Sequence, residues 1–193
     1  ALAHKNVRQG AVVVIKTSGE KNELLAMVGS PFPNSDDHGN KINMAVSPRP
    51  IGSTIKPFLY LQGFEKGLRP YSVVDDREYR YAIADGFSLY PKNYDYQYRG
   101  EVTLHYALSN SLNVPAVKVL EFVGIPEFIH FLTAELGFES IQPLEQYQLG
   151  IALGGLEMDL LTLTQYFTIF PREGMLDDKR VAPVPHVQLV FSD

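Results

Sequence analysis

The sequence predicts an α+β domain. A pair of short apolar runs split by a turn cluster opens the chain, and five segments that read as helices follow from Ser53 onward. At 193 residues, with 45% hydrophobic and 11% aromatic side chains, the chain can bury a core of ordinary size. Its length fits one domain or a domain and a fraction.

The elements follow in order. Gly10–Lys16 is a β-branched run, Thr17–Asn22 a turn cluster and Glu23–Gly29 a second apolar run, which together read as a β-hairpin. From Ser30 to Gly52 the text is rich in Pro, Gly, Asn, Asp and Ser, so an irregular connection is expected. Apolar residues at Ile55, Phe58, Leu59, Leu61 and Phe64, with Gly67 as a left-handed stop, predict a helix over Ser53–Lys66 that has its serine in the first turn. Pro57 is tolerated there because first-turn amides have no intrahelical acceptor.

Seven tyrosines lie between Leu68 and Gly100 with prolines and glycines among them, and no helical period survives. A long loop with short strands is expected, packed by those tyrosines, one or two of which could line a groove. Thr103–Ser109 and Pro115–Val123 read as helices around a break at Asn110–Val114, with Pro115 at the first helical position. Pro126–Leu136 and Met158–Phe170 read as two more, the last following the Gly154-Gly155 turn, and Val187–Phe191 reads as the opening of a strand.

Charge and composition exclude several functions. Seventeen basic against 22 acidic residues leave a net charge of −5 without any Lys/Arg run, so there is no electrostatic footprint for nucleic acid. The absence of cysteine removes disulfides, thiolate nucleophiles and Cys-based zinc sites. The five histidines (His4, His38, His105, His130 and His186) are scattered; His130 has only Glu127 near ligand spacing, so no metal site is expected. The longest apolar runs, such as Ala11–Ile15, are far shorter than the roughly 20 residues of a membrane span. Asp75-Asp76 and Asp177-Asp178 sit in polar turn contexts and read as exposed loop acids.

One constellation carries chemistry. Ser53-Thr54-Ile55-Lys56 places a hydroxyl and an amine three residues apart, on one helix face. A serine nucleophile needs a base, and a lysine serves if burial lowers its pKa towards neutrality. The expectation is that Lys56 lies within hydrogen-bond reach of Ser53. The spacing alone also fits a capping serine with a solvated lysine. It recurs at Ser18-Gly19-Glu20-Lys21, where a hairpin turn would not hold the two side chains on one face.

Context extends the pattern. Arg49-Pro50-Ile51-Gly52-Ser53-Thr54-Ile55-Lys56-Pro57-Phe58-Leu59-Tyr60 is followed by Ser111-Leu112-Asn113, which gives S-x-x-K and then S-x-N. Gly10–Ile15 with Leu25–Gly29, Tyr90-Pro91-Lys92-Asn93-Tyr94, Ser111–Val117 and Ala152-Leu153-Gly154-Gly155-Leu156-Glu157 complete a set that covers about Gly10 to Val184. This text resembles the penicillin-binding transpeptidases of the penicillin-recognising enzymes, and most of all their class A, bifunctional branch. The resemblance implies an antiparallel sheet covered by helices. It implies Ser53 as nucleophile, Lys56 as its base, Ser111 as proton relay to the leaving amine and Asn113 as partner of Lys56 and the substrate backbone. It implies peptidoglycan stem peptides and β-lactams as partners, no cofactor, and work on the extracytoplasmic face of the membrane. For Ser111 and Asn113 a plain helix-capping role before Pro115 is the alternative.

The chain departs from the family's pattern twice. Ile51 stands where a proline commonly precedes the Gly-Ser, and no K-[ST]-G tripeptide follows Asn113. Lys16-Thr17-Ser18-Gly19 is out of order and lacks the adjacent glycine. The expectation is therefore that residues 1–193 form the N-terminal part of one transpeptidase domain, completed by a C-terminal remainder. A glycosyltransferase domain and a membrane anchor are expected upstream in the parent protein. A serine β-lactamase or D,D-carboxypeptidase of the same superfamily, and a non-catalytic piece completed by another chain, are the competing readings.

Overall fold

The apolar runs at the start pair as expected. In the computed structural model, which describes residues 9–18, 21–36, 39–82, 88–139, 143–176 and 179–180, β1 (Val12–Lys16) and β2 (Glu23–Val28) form an antiparallel hairpin. The register runs from Val12 opposite Val28 to Lys16 opposite Glu23, with one irregularity between Val14 and Ile15. Gly19 and Glu20, the Asp177-Asp178 pair, Val187–Phe191, His4, His38 and His186 lie outside the described residues.

The remaining elements follow in chain order: β3 (Arg49–Pro50), a 3-10 turn (Gly52–Ile55), α1 (Lys56–Glu65), β4 (Val73–Asp76), β5 (Tyr81–Ala82), β6 (Ser88–Leu89), β7 (Gly100–Thr103) and α2 (Leu104–Ser109). Then come α3 (Asn113–Val123), α4 (Ile125–His130), a π-turn (Phe131–Glu135), a 3-10 segment (Leu144–Leu153), β8 (Glu157–Met158), α5 (Leu160–Phe167), β9 (Met175–Leu176) and β10 (Lys179–Arg180). The strands pair two by two, all antiparallel: β1 with β2, β3 with β8, β4 with β7, β5 with β6 and β9 with β10.

The chain forms two compact units. One unit, Ala1–Pro50 with Glu157–Asp193, sets α5 against β1. Asp159 caps α5 by accepting from the Thr162 amide at 2.9 Å. That cap explains why the helix starts at Leu160 rather than at Met158, which lies in β8. Asn22 ties into the same unit, donating to Thr168 Oγ1 at 2.9 Å and accepting from Arg172 at 3.1 Å.

The other unit, Ile51–Leu156, is built on α3. Val114, Pro115, Ala116, Val117, Val119, Leu120 and Val123 are all buried, against α1, α4 and the 3-10 segment. Gly63 lets α1 come close, since a Cβ there would lie 3.1 Å from Val119 Cγ1. Helix α3 begins at Asn113, two residues before the proline expected at its first position. Pro115 still falls within the first turn, where its missing N–H costs nothing.

Other expectations are corrected. Ser53 lies in a 3-10 turn and α1 proper starts at Lys56. The helix expected over Pro126–Leu136 changes to a π-turn after His130. The 3-10 segment Leu144–Leu153, interrupted at Gln148, has no helical spacing to announce it. The tyrosines do not pack the long loop as a group, because Tyr71, Tyr79, Tyr90, Tyr94 and Tyr96 are exposed and Tyr81 is buried.

Candidate functional site

The turn that carries Ser53 is pinned by backbone. Ile51 N–H donates to Leu156 O at 3.0 Å and Gly52 N–H to Gly154 O at 3.1 Å, so two consecutive amides ahead of the serine are bonded to Gly154–Leu156. Thr54 Oγ1 then donates back to Ile51 O at 2.6 Å. Ser53 itself is exposed and opens on a pocket of about 430 Å³ that Asn93, Tyr94, Arg99, Ser111 and Asn113 also line.

Lys56 begins α1 and is only 1% exposed. Its Nζ donates to Ser111 O at 2.6 Å, to Asn113 Oδ1 at 2.6 Å and to Ser111 Oγ at 3.3 Å. An ammonium has three protons, and these acceptors use all three. Among the described residues Ser53 Oγ therefore makes no hydrogen bond to Lys56, a correction to the expected contact. Burial lowers the Lys56 pKa to about 8. Of the three acceptors the Ser111 hydroxyl alone can also donate, so loss of the lysine proton lets that bond reverse direction.

Ser111 reaches this position through the end of α2. Its N–H donates to Leu108 O at 3.0 Å and the Leu112 N–H to Ala107 O at 2.9 Å, the paired bonds of a Schellman motif. The motif places Ser111 at φ 53°, a left-handed conformation where glycine is usual. Neither Ser111 nor Asn113 caps α3 with its side chain: the N-cap is Leu112, extended and without a side-chain bond. The capping alternative is thus not what the structure holds.

Instead the first amide of α3 is satisfied from outside the helix. Asn113 N–H donates to Asn93 Oδ1 at 2.8 Å, while Asn113 Nδ2 donates to Lys92 O at 2.6 Å. Asn93, itself 3% exposed, turns its Nδ2 to both oxygens of Asp76 at 2.9 Å and to Gln97 O at 2.8 Å. Asp76 also accepts from the Arg99 N–H at 3.0 Å and has no exposed surface. It ends β4, paired with Gly100 of β7. The expectation of an exposed loop acid at Asp76 is overturned, because the Val73-Val74 run ahead of it forms a strand that carries the carboxylate inward. Asp75 remains half-buried beside Lys118 and Arg77.

Tyr60, one helical turn beyond Lys56, is buried, and its hydroxyl has no partner among the described residues. Burial, and then the Asp76 charge, push its pKa well up. Among the described residues no group of three or more His, Cys, Asp or Glu could hold a metal ion, and no helix is long and apolar enough to cross a membrane.

Sequence reasoning placed Ser53, Lys56, Ser111 and Asn113 in one site, and the structure brings them around one pocket and one buried amine. It had no role for Asp76 or Asn93. For Asn93 the available signal was its place in the Tyr90–Tyr94 segment that carries part of the resemblance, and for Asp76 a carboxylate closing a β-branched run.

The family model described as "Penicillin binding protein transpeptidase domain" matches residues 10–174. Penicillin-binding protein 1A of Aquifex aeolicus is 36% identical over 86% of this chain and 22% of its own length. Penicillin-binding protein 1C of Escherichia coli is 32% identical over 81% of this chain and 20% of its own. The crystal structure of penicillin-binding protein 1A from Haemophilus influenzae matches with a TM-score of 0.75 at 28% identity, over 88% of this chain and 24% of that one. The chain thus spans about a fifth to a quarter of the length of these relatives.

Proposed function

The chain belongs to the penicillin-binding protein transpeptidase family, and from that premise we propose that its site performs acyl transfer from D-Ala-D-Ala stem peptides of peptidoglycan. The observation that carries this reading is the buried amine of Lys56, held by Ser111 and Asn113 beside the pocket on which Ser53 opens.

In this reading Ser53 Oγ attacks the carbonyl of the penultimate D-Ala and its proton passes to neutral Lys56. The peptide C–N bond breaks as the Ser111 hydroxyl gives its proton to the departing D-Ala amine and takes one back from the Lys56 ammonium, and the peptide stays on Ser53 as an ester. The amine of a neighbouring stem peptide then attacks the ester and gives a proton to the Ser111 and Lys56 pair, which returns one to Ser53 Oγ as the ester C–O bond breaks, forming the cross-link and freeing the serine. Lys56 suits the role because a base with a pKa near the working pH has both a populated neutral form and enough proton affinity. A β-lactam enters by the same attack, with ring opening in place of amine departure.

The reading places the site on the extracytoplasmic side of a bacterial membrane. Residues 1–193 would then be the N-terminal part of one transpeptidase domain of a longer bifunctional protein. A fluorescent penicillin tests the chemistry: it labels the parent protein at Ser53 and fails to label Ser53→Ala. Labelling that survives in the variant assigns the nucleophile elsewhere.

A further inference from the structure

Asp76 is a buried carboxylate for which the acyl-transfer scheme has no use. We propose that Asp76 is a positioning residue for Lys56, acting through Asn93 and Asn113; this inference rests on the acyl-serine reading above.

The argument is one of forced orientations. A carboxylate is kept out of water only where hydrogen bonds replace its solvent. Asp76 has no exposed surface, and among the described residues it makes no ion pair; its partners are the Asn93 amide and the Arg99 N–H. The two oxygens of Asp76 and the Gln97 carbonyl are all acceptors, so the side of Asn93 that faces them must be its NH₂. That leaves Asn93 Oδ1 pointing the other way, where it accepts the Asn113 N–H at 2.8 Å.

The same logic repeats one step on. Asn113 is gripped at its backbone by Asn93 and at its Nδ2 by the neighbouring Lys92 carbonyl, so its Oδ1 is the atom turned to Lys56, at 2.6 Å. Reversing either amide sets oxygen against oxygen. The charge at position 76 therefore fixes, through two amides, where the lysine amine sits. An asparagine at 76 keeps the volume of the side chain but turns a donor towards donors, and the first orientation is no longer forced.

The experiment measures acylation of the full-length protein by a fluorescent penicillin, as a function of concentration. Asp76→Asn is expected to slow acylation at saturation by about 10- to 100-fold, the scale of a misplaced catalytic group, with the half-saturating concentration little changed. In an Asn113→Ala background the same substitution is expected to change the rate by less than about twofold, because the amide through which Asp76 acts on Lys56 is gone. A wild-type rate in Asp76→Asn overturns the proposal, and so does an undiminished loss in the Asn113→Ala background. If Asp76→Asn lacks a cooperative melt, Asn93→Ala takes its place, with the same loss and the same non-additivity expected. Failure of both to fold assigns Asp76 to stability alone and overturns the proposal. An unlabelled wild-type protein refutes the acyl-serine reading itself, an outcome distinct from a labelled wild type with indifferent variants.

Discussion

Gly154 and Gly52 touch backbone to backbone. A Cβ built on Gly154 would lie 1.7 Å from the Gly52 carbonyl oxygen, while the Gly52 N–H donates to Gly154 O at 3.1 Å. Gly154 also holds φ +75°, where any other residue is strained. The residue after Gly52 is the proposed nucleophile, so this contact sets the height of Ser53 in its pocket.

Gly154→Ala is therefore expected to push the Gly52 peptide aside and carry Ser53 with it. Acylation by penicillin should fall by about 100-fold, the scale of a displacement near 1 Å at a reacting atom. Timed labelling on a gel measures this, and an unchanged rate means the turn is not held by that contact.

Lys56 supplies a pH dependence. Burial lowers its pKa to about 8 from an ordinary value of 10.5, so between those values the unfolded chain binds more proton than the folded one. Stability should rise with pH across that window, by about 3 kcal/mol in total, and the cost of burying the ammonium should be fully present below pH 8. Denaturant melts of Lys56→Met, which has no proton to lose, should show that rise abolished. Acylation needs the neutral amine, so its rate should climb about tenfold per pH unit below 8 and level off above. A flat profile from pH 6 to 9 would exclude Lys56 as the base.

Ser111 separates strain from chemistry. Ser111→Gly and Ser111→Ala both delete the hydroxyl, and both should lose acylation by about 10² or more if it relays a proton. Only glycine relieves the left-handed backbone, so Ser111→Gly should be more stable than Ser111→Ala by about 1 kcal/mol. Equal melting temperatures would mean the Schellman turn stores no strain.

Tyr60 offers a gain. Its buried hydroxyl has no partner among the described residues, and such a group costs about 1–3 kcal/mol. Tyr60→Phe should raise stability by a measurable part of that. A loss of stability would show that the hydroxyl is satisfied in solution.

The parts of the molecule legible in the sequence are those with local causes. The β-branched text of Val12–Lys16 and the apolar spacing through Phe58, Leu59 and Phe64 specify their elements by period alone. The pairing of Ser53-x-x-Lys56 with Ser111-x-Asn113 was legible because motif order survives in one dimension. The start of α3 was not, since the group that satisfies its first amide, Asn93, lies 20 residues earlier in a loop without period. Asp76 was misplaced for the same reason: a carboxylate in polar text looks exposed until the strand pairing with Gly100 is known. The exposed tyrosines were misjudged because aromatic content was read as packing, whereas five of the seven stand exposed and Tyr81 is buried.

The site's hydrogen bonds also say when it can exist. Asn93 lies 17 residues from Asp76, Asn113 lies 20 from Asn93, and Lys56 lies 55 and 57 residues from its two partners. None of these links forms within a single helix or hairpin, so each must wait for a loop to close and bear that loop's entropy. During refolding, helical signal should recover before reactivity does. Under the proposed function, penicillin uptake would then serve as a clock for the last step of folding, started only when residues far apart in the chain have found each other.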